Sequence, residues 1–524
     1  MAAGNFVQRI CDDATERGRL DKPALHEGER TWTYRELIAQ TTRVGAALTT
    51  LGVGRGDRVI LFMRDTLEAA AAMLGVMRMG AVVVPLSELA TAEDLRELLQ
   101  HARAAVAIVD GFLQPVIDEV RAEAPTLREL LVVGPRAAGE HDYQAALAAA
   151  SDVATTAVTE LDDPCVLLYS TGAGLDTPRA VPHSHRALAA AFESYGRGFL
   201  ALSEADRCLS VVRLSTAYGL GSGLLFPLAA GGQARLMPEQ PRSEAIFAAV
   251  ESFDPTVLFA TPSIYGQLAR DAEAEARVRP LAHLRNAVAG AEGMPERLLS
   301  KIKAVLATEV TVGYGLTEIF QFALASSTRD AWVTRPGACG RPLPGIQVRV
   351  VDDNGEVVGT DEIGTLQVRS QSMFNGYWGG DVARPGADGW FTTRDRFMLD
   401  AHGMYHHCGR VDDLFKVGGK WVSPVEVERA LTAHEAVWEA AVIGTEDEDG
   451  LIKPLAFVVT NVGHAPGPGL EAELRGYIKH TLAPYKYPRW IEFVDALPRG
   501  PGGKLLRYKL RPQRARRRAE TGHA

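Results

Sequence analysis

Short runs of β-branched and other apolar residues recur along the first half of the chain, with longer amphipathic stretches between them. Tyr34 to about Leu51 places Leu37, Val44, Leu48 and Leu51 on one helical face and ends at the glycines of GVGRG (52–56). RVILFM (58–63), AVVVP (81–85), VAIVD (106–110) and LLVVG (130–134) follow, separated by amphipathic segments such as Glu93–His101. Strands alternating with helices predict βαβ units and a parallel sheet covered on both faces. After an acidic, polar connector around Asp152–Asp163 the alternation resumes. CVLLY (165–169), RCLSVV (207–212), QARLM (233–237), TVLFAT (256–261), NAVAGA (286–291) and EVTVGYG (309–315) read as strands, with Ser243–Ser252 and Glu296–Ala307 as helices.

From Gly340 the period changes to two. IQVRVVDDNGEVV and IGTLQVRS alternate around Asn354-Gly355, a hairpin signal that predicts a small antiparallel subdomain. A third texture begins near Gly409. DLFKVGGKWV reads as a hairpin, VSPVEVERALTA as a helix, VWEAAVIGTED and LAFVVT as strands, and EAELRGYIKHTL as another helix. The expected fold is α/β: a large N-terminal domain with two doubly wound sheet subdomains plus a small antiparallel β subdomain, then a small α+β C-terminal domain.

Composition adds mostly exclusions. The 524 residues carry 56 Lys+Arg against 65 Asp+Glu, a net charge of −9, so there is no global pull toward nucleic acid or membrane. With 46% hydrophobic and 23% charged residues, disorder is excluded as the main state. The exception is the end of the chain, where nine Lys/Arg from Arg499 onward face one acidic residue, Glu520; this reads as a solvated tail. Five scattered cysteines without a CxxC argue against a disulfide framework or zinc module. No signal peptide is evident, and the apolar run Ala69–Met77 is too short to span a bilayer, so a cytoplasmic protein without membrane insertion is expected.

Four segments carry candidate chemistry. In YSTGAGLDTPRAVPHSH (169–185) a strand empties into small residues whose backbone N–H groups can wrap an anion, and a helical pattern starts after the two histidines. YGLTE (314–318) sets a hydroxyl and a carboxylate at a strand's C-terminal end, where they can meet a phosphate and its Mg²⁺; the plainer reading of Thr317 is a helix N-cap. GRVDDLFKVGGKWVSPVEVE (409–428) puts Arg410 and Asp412 where the texture changes. PRGPGGKLLR (498–507) puts Lys504 on a Gly-rich loop. His183 and His185 read as structural, and the adjacent His406, His407 and Cys408 have poor chelate geometry for zinc.

Together, in this order, these segments resemble the adenylate-forming superfamily of acyl- and aryl-CoA synthetases, carrier-protein adenylation domains and luciferases. TWTYREL (31–37), GDRV (56–59), WFTTRD (390–395) and GGK stand where that family has its landmarks, and AYGLGSGLLFPL (217–228) looks closest to benzoate- and anthranilate-type aryl-CoA ligases. The resemblance implies ATP, Mg²⁺ and coenzyme A as cofactors. It also implies an adenylation core over 1–410 and a mobile lid domain over 411–524, with a hinge near Asp412.

Carried over by position, Ser170, Thr171, Gly172, Ala173, Gly174 and Arg179 belong to the phosphate loop. Gly290, Ala291 and Glu292 lie along the adenine, and Tyr314 stacks near it, with Gly315 and Leu316 completing the nucleotide set. Thr317 contacts the α-phosphate and Glu318 holds Mg²⁺. Asp395 accepts the ribose hydroxyls, and Arg410 contacts ribose or phosphate. Lys504 bridges the acid and the α-phosphate, while Lys416, Gly418, Gly419 and Trp421 lie on the loop that comes to line the thiol tunnel. The acid is expected among Ala217, Tyr218, Gly219, Gly313, Ile319 and Gln321, with Phe192 nearby. Gln321 offers a donor and an acceptor and so suits an amino or hydroxyl group on the ring; the plainer reading is a surface residue on a helix.

The implied reaction activates a small aromatic acid as its adenylate and passes the acyl group to CoA, releasing AMP and pyrophosphate. Alternatives are loading of a carrier protein's phosphopantetheine, with a downstream carrier or acyltransferase as partner, and a binder without turnover. The phosphate loop departs from the family pattern: Ala173 and Gly174 lack hydroxyls, a residue is inserted near Asp176, and Arg179 replaces lysine. Arg394 stands where the family has glycine before the ribose carboxylate.

Overall fold

The apolar runs of the first half line up as a seven-stranded sheet in the computed structural model of the protein. It describes residues 4–151, 158–170, 179–326, 338–380, 384–411, 413–499, 505 and 507–510. The strand order is His141–Asp142, Glu129–Val133, Val106–Asp110, Arg58–Phe62, Val82–Leu86, Pro164–Ser170 and Arg179–Ser184. All pairs are parallel except the last. Val82–Leu86 and Val106–Asp110 are buried at every position, so they read as unbroken apolar runs. Alternate residues feed two cores: Val59, Leu61 and Val83 pack with the helix Leu67–Arg78, while Ile60, Phe62 and Val84 pack with Leu95 and Leu99 of the helix Ala92–Ala102.

The last pair sets the local order after the phosphate loop. The chain returns antiparallel as Arg179–Ser184, so His183 lies on a strand and the helix begins at His185, the second of the two histidines.

A second sheet, of thirteen strands, has a parallel centre of Val310–Leu316, Asn286–Ala289, Val257–Ala260, Arg207–Ser210 and Gln233–Leu236, extended by the N-terminal strand Pro23–Glu27. At its other end Gln321–Ser326 folds back antiparallel on Val310–Leu316. The antiparallel region beyond it does not stand apart. Ala338–Pro342 pairs on one edge with Gln321–Ser326 and on the other with Tyr405–Arg410, which makes one continuous sheet. At Asn354-Gly355 the chain turns with Gly355 at φ 87°, but the arm beyond forms a single bridge, Val351–Val357. The main partner of Gln347–Val351 is Ile363–Arg369.

The C-terminal region holds the hairpin Phe415–Val417/Lys420–Val422 and a sheet of Val437–Glu446, Ile452–Thr460 and Trp490–Phe493. The helices Pro424–Thr432 and Pro468–Thr481 contribute Val427, Leu431, Leu474 and Ile478 to its core. It meets the large region at Trp438, whose ring lies under the Arg270 guanidinium at 4.1 Å. No described helix is long and apolar enough to cross a membrane.

Candidate active site

The C-terminal ends of Pro164–Ser170 and Val310–Leu316 open into one cleft of about 1550 Å³ between the large region and the C-terminal sheet. That exceeds the ~300–1,000 Å³ that serves a single drug-sized ligand, so there is room for more than one substrate. Ser170, Arg179, Ala291, Glu292, Gly313, Tyr314, Gly315, Leu316, Thr317, Glu318, Asp395 and Arg410 all line it.

One side of the cleft is built on the antiparallel pair Phe391–Leu399 and Tyr405–Arg410, which sets Asp395 opposite Arg410. The Tyr314 hydroxyl donates to Asp395 Oδ2 at 2.7 Å, and His407 Nε2 lies 3.2 Å from Oδ1. Burial works to raise the Asp395 carboxyl, but His407, Tyr314 and Arg410 outweigh it and hold it at about 2 against an ordinary 3.8. The charge is therefore fixed where two hydroxyl donors could meet it. Arg410 Nε is buried with no partner among the described residues, a donor ready for an anion. His407 was not legible as a site residue. A register shift between Arg396 and Phe397 turns its strand so that the imidazole reaches Asp395.

Thr317 does not cap a helix. It opens a short 3₁₀ turn, Thr317–Ile319, whose first residues make no side-chain cap, and Phe320 at φ 59° reverses the chain into Gln321–Ser326. A non-glycine residue held in this region costs of order 1–3 kcal/mol and is typical of functional turns. Glu318 Oε1 accepts the Tyr377 hydroxyl at 2.6 Å, and Arg179 lies over the Tyr377 ring at 5.5 Å. Thr171, Gly172, Ala173 and Gly174 lie outside the described residues. No group of three or more His, Cys, Asp or Glu that could hold a metal occurs among the described residues. A lone carboxylate beside a hydroxyl still suits Mg²⁺, which is commonly held by one or two carboxylates plus substrate phosphates and water.

Gly313 lines the cleft; behind it, off the cleft lining, the Tyr218 hydroxyl lies 3.3 and 3.1 Å from the carbonyls of Ala260 and Val288, pinning the ring across two strand ends. Beside it lies Phe322, which sequence reasoning missed. A Cβ on Gly313 would stand 1.9 Å from Phe322 Cδ2, and one on Gly290 2.4 Å from its Cζ, so both glycines make room for this ring. It sits 5.1 Å from Tyr218 and 5.0 Å from Tyr195 between centroids.

Gln321 is neither on a helix nor at the surface: it starts a strand and is buried. Its Nε2 donates to Ser372 Oγ at 2.9 Å, away from Phe322, as alternation along a strand requires. Ile319 is fully buried, and Phe192 packs on Phe226 at 6.2 Å; neither lines the cleft. Ala217 and Gly219 are buried in the short helix Ala217–Leu220, also off the cleft. His183 and His185 are buried, pushed down to about 3 and about 4 by desolvation, and His185 Nδ1 accepts the Phe6 amide.

Glu292, expected along the adenine, accepts from Ser263, and burial raises its carboxyl. Arg499 lies between Glu292, at 3.6 Å, and Glu439, at 3.1 Å, joining the two regions. Arg499 and Leu505, the ends of the loop that carries Lys504, line the cleft, while Lys504 and Asp412 lie outside the described residues. The hairpin with Lys416, Gly418, Gly419 and Trp421 is not part of the cleft lining; the Lys416 ammonium rests over the Trp421 ring at 4.6 Å.

Two α/β sheets capped by a small α+β unit over a cleft with a fixed carboxylate, an unpaired arginine donor and a Thr–Glu turn define the adenylate-forming class of enzyme. The chain belongs to the AMP-binding enzyme family: that family's pattern matches residues 11–378, and the AMP-binding enzyme C-terminal domain matches 426–504. It is 37% identical over 500 residues to a benzoate–CoA ligase of Thauera aromatica, covering 94% of this chain and 93% of the relative. The crystal structure of an anthranilate CoA ligase in complex with anthranoyl-AMP superposes with a TM-score of 0.91 at 32% identity, covering 98% of each chain. A benzoate CoA ligase from Burkholderia xenovorans LB400 does so with a TM-score of 0.86 at 33% identity, covering 97% of this chain and 99% of the other.

Proposed function

We propose that the protein is an ATP-dependent aryl-CoA ligase that joins a small aromatic acid of the benzoate or anthranilate kind to coenzyme A. The observation that carries this reading is the convergence on one cleft of the Asp395–Tyr314–His407 cluster, Arg410 and the Thr317–Glu318 turn.

In the first half-reaction an oxygen of the acid's carboxylate bonds to the α-phosphorus of ATP. The bond from that phosphorus to the bridging oxygen breaks, and pyrophosphate departs with its electron pair. Two anions must meet, so positioning and charge compensation dominate. Asp395 accepts the ribose hydroxyls, Arg410 donates to ribose or phosphate, Thr317 donates to the α-phosphate, and Lys504 offsets the charge between acid and phosphate. Glu318 would hold Mg²⁺, which would supply charge neutralisation on the leaving phosphates. In the second half-reaction the CoA sulfur, its proton lost to solvent, bonds to the acyl carbon, and the bond from that carbon to the phosphate oxygen breaks so that AMP leaves with its electron pair. Rotation of 411–524 about Asp412 exchanges Lys504 for the Lys416–Trp421 loop between the two steps.

The acid would lie against Gly313, which lines the cleft, with the buried rings of Phe322 and Tyr218 packed behind it; this aromatic surround favours a single ring over an extended chain. A pyrophosphate-release screen over aromatic and aliphatic acids tests the reading. Benzoate-type acids should lead, and a C12 or longer acid turning over as fast as the best aromatic one would overturn it. Offering CoA and a phosphopantetheinylated carrier domain in the same assay separates the two acceptors.

A further inference from the structure

We propose that Tyr377 is the positioning residue of the metal carboxylate: its hydroxyl holds Glu318 in the orientation that takes the cation of Mg·ATP. The inference rests on Glu318 being that carboxylate, as proposed above.

The geometry is specific. The phenol donates to Glu318 Oε1 at 2.6 Å, while the Glu318 carbonyl accepts the Phe374 amide at 2.9 Å. At the other end of the same segment the Trp378 amide donates to the Ala180 carbonyl at 2.9 Å. Ala180 belongs to the strand that leaves the phosphate loop in the seven-stranded sheet, whereas Glu318 follows the strand Val310–Leu316 of the thirteen-stranded one. Residues 374–378 thus lace the two halves of the phosphate site together, and Tyr377 stands between them with Arg179 over its ring. The ring is locked from below: Phe374, 2% exposed, packs edge-on against it at 4.8 Å and against Phe391 at 5.1 Å.

A carboxylate has two oxygens with about four lone-pair sites. One site on Oε1 is used by the phenol, so the carboxylate plane is set and Oε2 remains for a cation. A phenol keeps its proton at neutral pH, so the hydroxyl is the donor and the carboxylate the acceptor. Hydrogen bonds that orient a metal-binding carboxylate typically change metal affinity about 10–100-fold.

Tyr377→Phe keeps the ring and removes only the hydroxyl. With the full-length protein, nucleotide binding is followed by calorimetry at fixed ATP while Mg²⁺ is titrated, and again in EDTA. ATP–pyrophosphate exchange is measured across the same Mg²⁺ range. The half-saturating Mg²⁺ concentration should rise about 10–100-fold, with exchange recovered at saturating Mg²⁺ and metal-free ATP binding and melting temperature unchanged. An unchanged Mg²⁺ requirement, or an equal loss of ATP binding with and without metal, would overturn the proposal. Glu318→Gln distinguishes the two readings. If it too leaves the Mg²⁺ dependence unmoved, the carboxylate assignment fails; if it shifts the dependence and Tyr377→Phe does not, only the role of Tyr377 fails.

Discussion

Replacing Asp395 by asparagine keeps the shape of the side chain and removes the charge around which the nucleotide side of the cleft is arranged. If both ribose hydroxyls donate to this carboxylate, each loses a bond to a charged acceptor, worth about 1.5–3 kcal/mol, for a neutral one worth about 0.5–1.5. Two such exchanges amount to about 2 kcal/mol, or about 30-fold in affinity. Calorimetry with ATP, 2′-deoxy-ATP and 3′-deoxy-ATP reads this directly. The wild type should discriminate against both deoxy analogues, and Asp395→Asn should bind ATP about 30-fold more weakly while discriminating little among the three. An equal loss for all three nucleotides, with discrimination intact, would refute the ribose contact.

The same carboxylate bears on stability. Held at about 2 rather than 3.8, it contributes up to about 2 kcal/mol that is fully present above the ordinary carboxylate range and lost as pH falls through about 2. Urea denaturation of the variant at neutral pH accounts for that part separately.

Lys504→Ala should slow ATP–pyrophosphate exchange by about 10²–10³ while leaving conversion of a supplied acyl-adenylate to thioester nearly intact; equal losses in the two assays would remove Lys504 from the first step. Asp412→Pro restricts φ at the hinge and should cost thioester formation far more than adenylate formation, which single-turnover measurement of each half-reaction checks. Phe322→Leu should raise kcat/KM for a two-ring acid relative to benzoate by about tenfold or more. An unchanged ratio would place the acid elsewhere in the cleft.

Much of this architecture is written in local periodicity. Val82–Leu86 and Val106–Asp110 read as buried strands because Val82, Val83, Val84, Leu86 and residues 106–109 go alternately into two cores, and that requirement acts residue by residue. The Thr317–Glu318 pair and the hairpin at Lys416–Trp421 were likewise visible, because each is a contiguous segment with its own turn residues.

What the sequence left open depends on how distant strands register against one another. Nothing local tells Ala338–Pro342 to pair on both edges and so fuse the antiparallel region with the larger sheet. The packing behind Gly313 turns on a single step of parity: Gln321 and Phe322 are neighbours, and only the pairing of their strand with Val310–Leu316 decides that the phenyl ring covers Gly313 while the amide turns to Ser372. His407 reaches Asp395 because of a register shift, and Tyr377 reaches Glu318 because a loop joins two sheets. The sequence by itself determined the elements and the chemical groups available to them. Tertiary pairing alone decided which groups meet, because a hydrogen bond between residues 59 or 81 positions apart has no counterpart in local propensity.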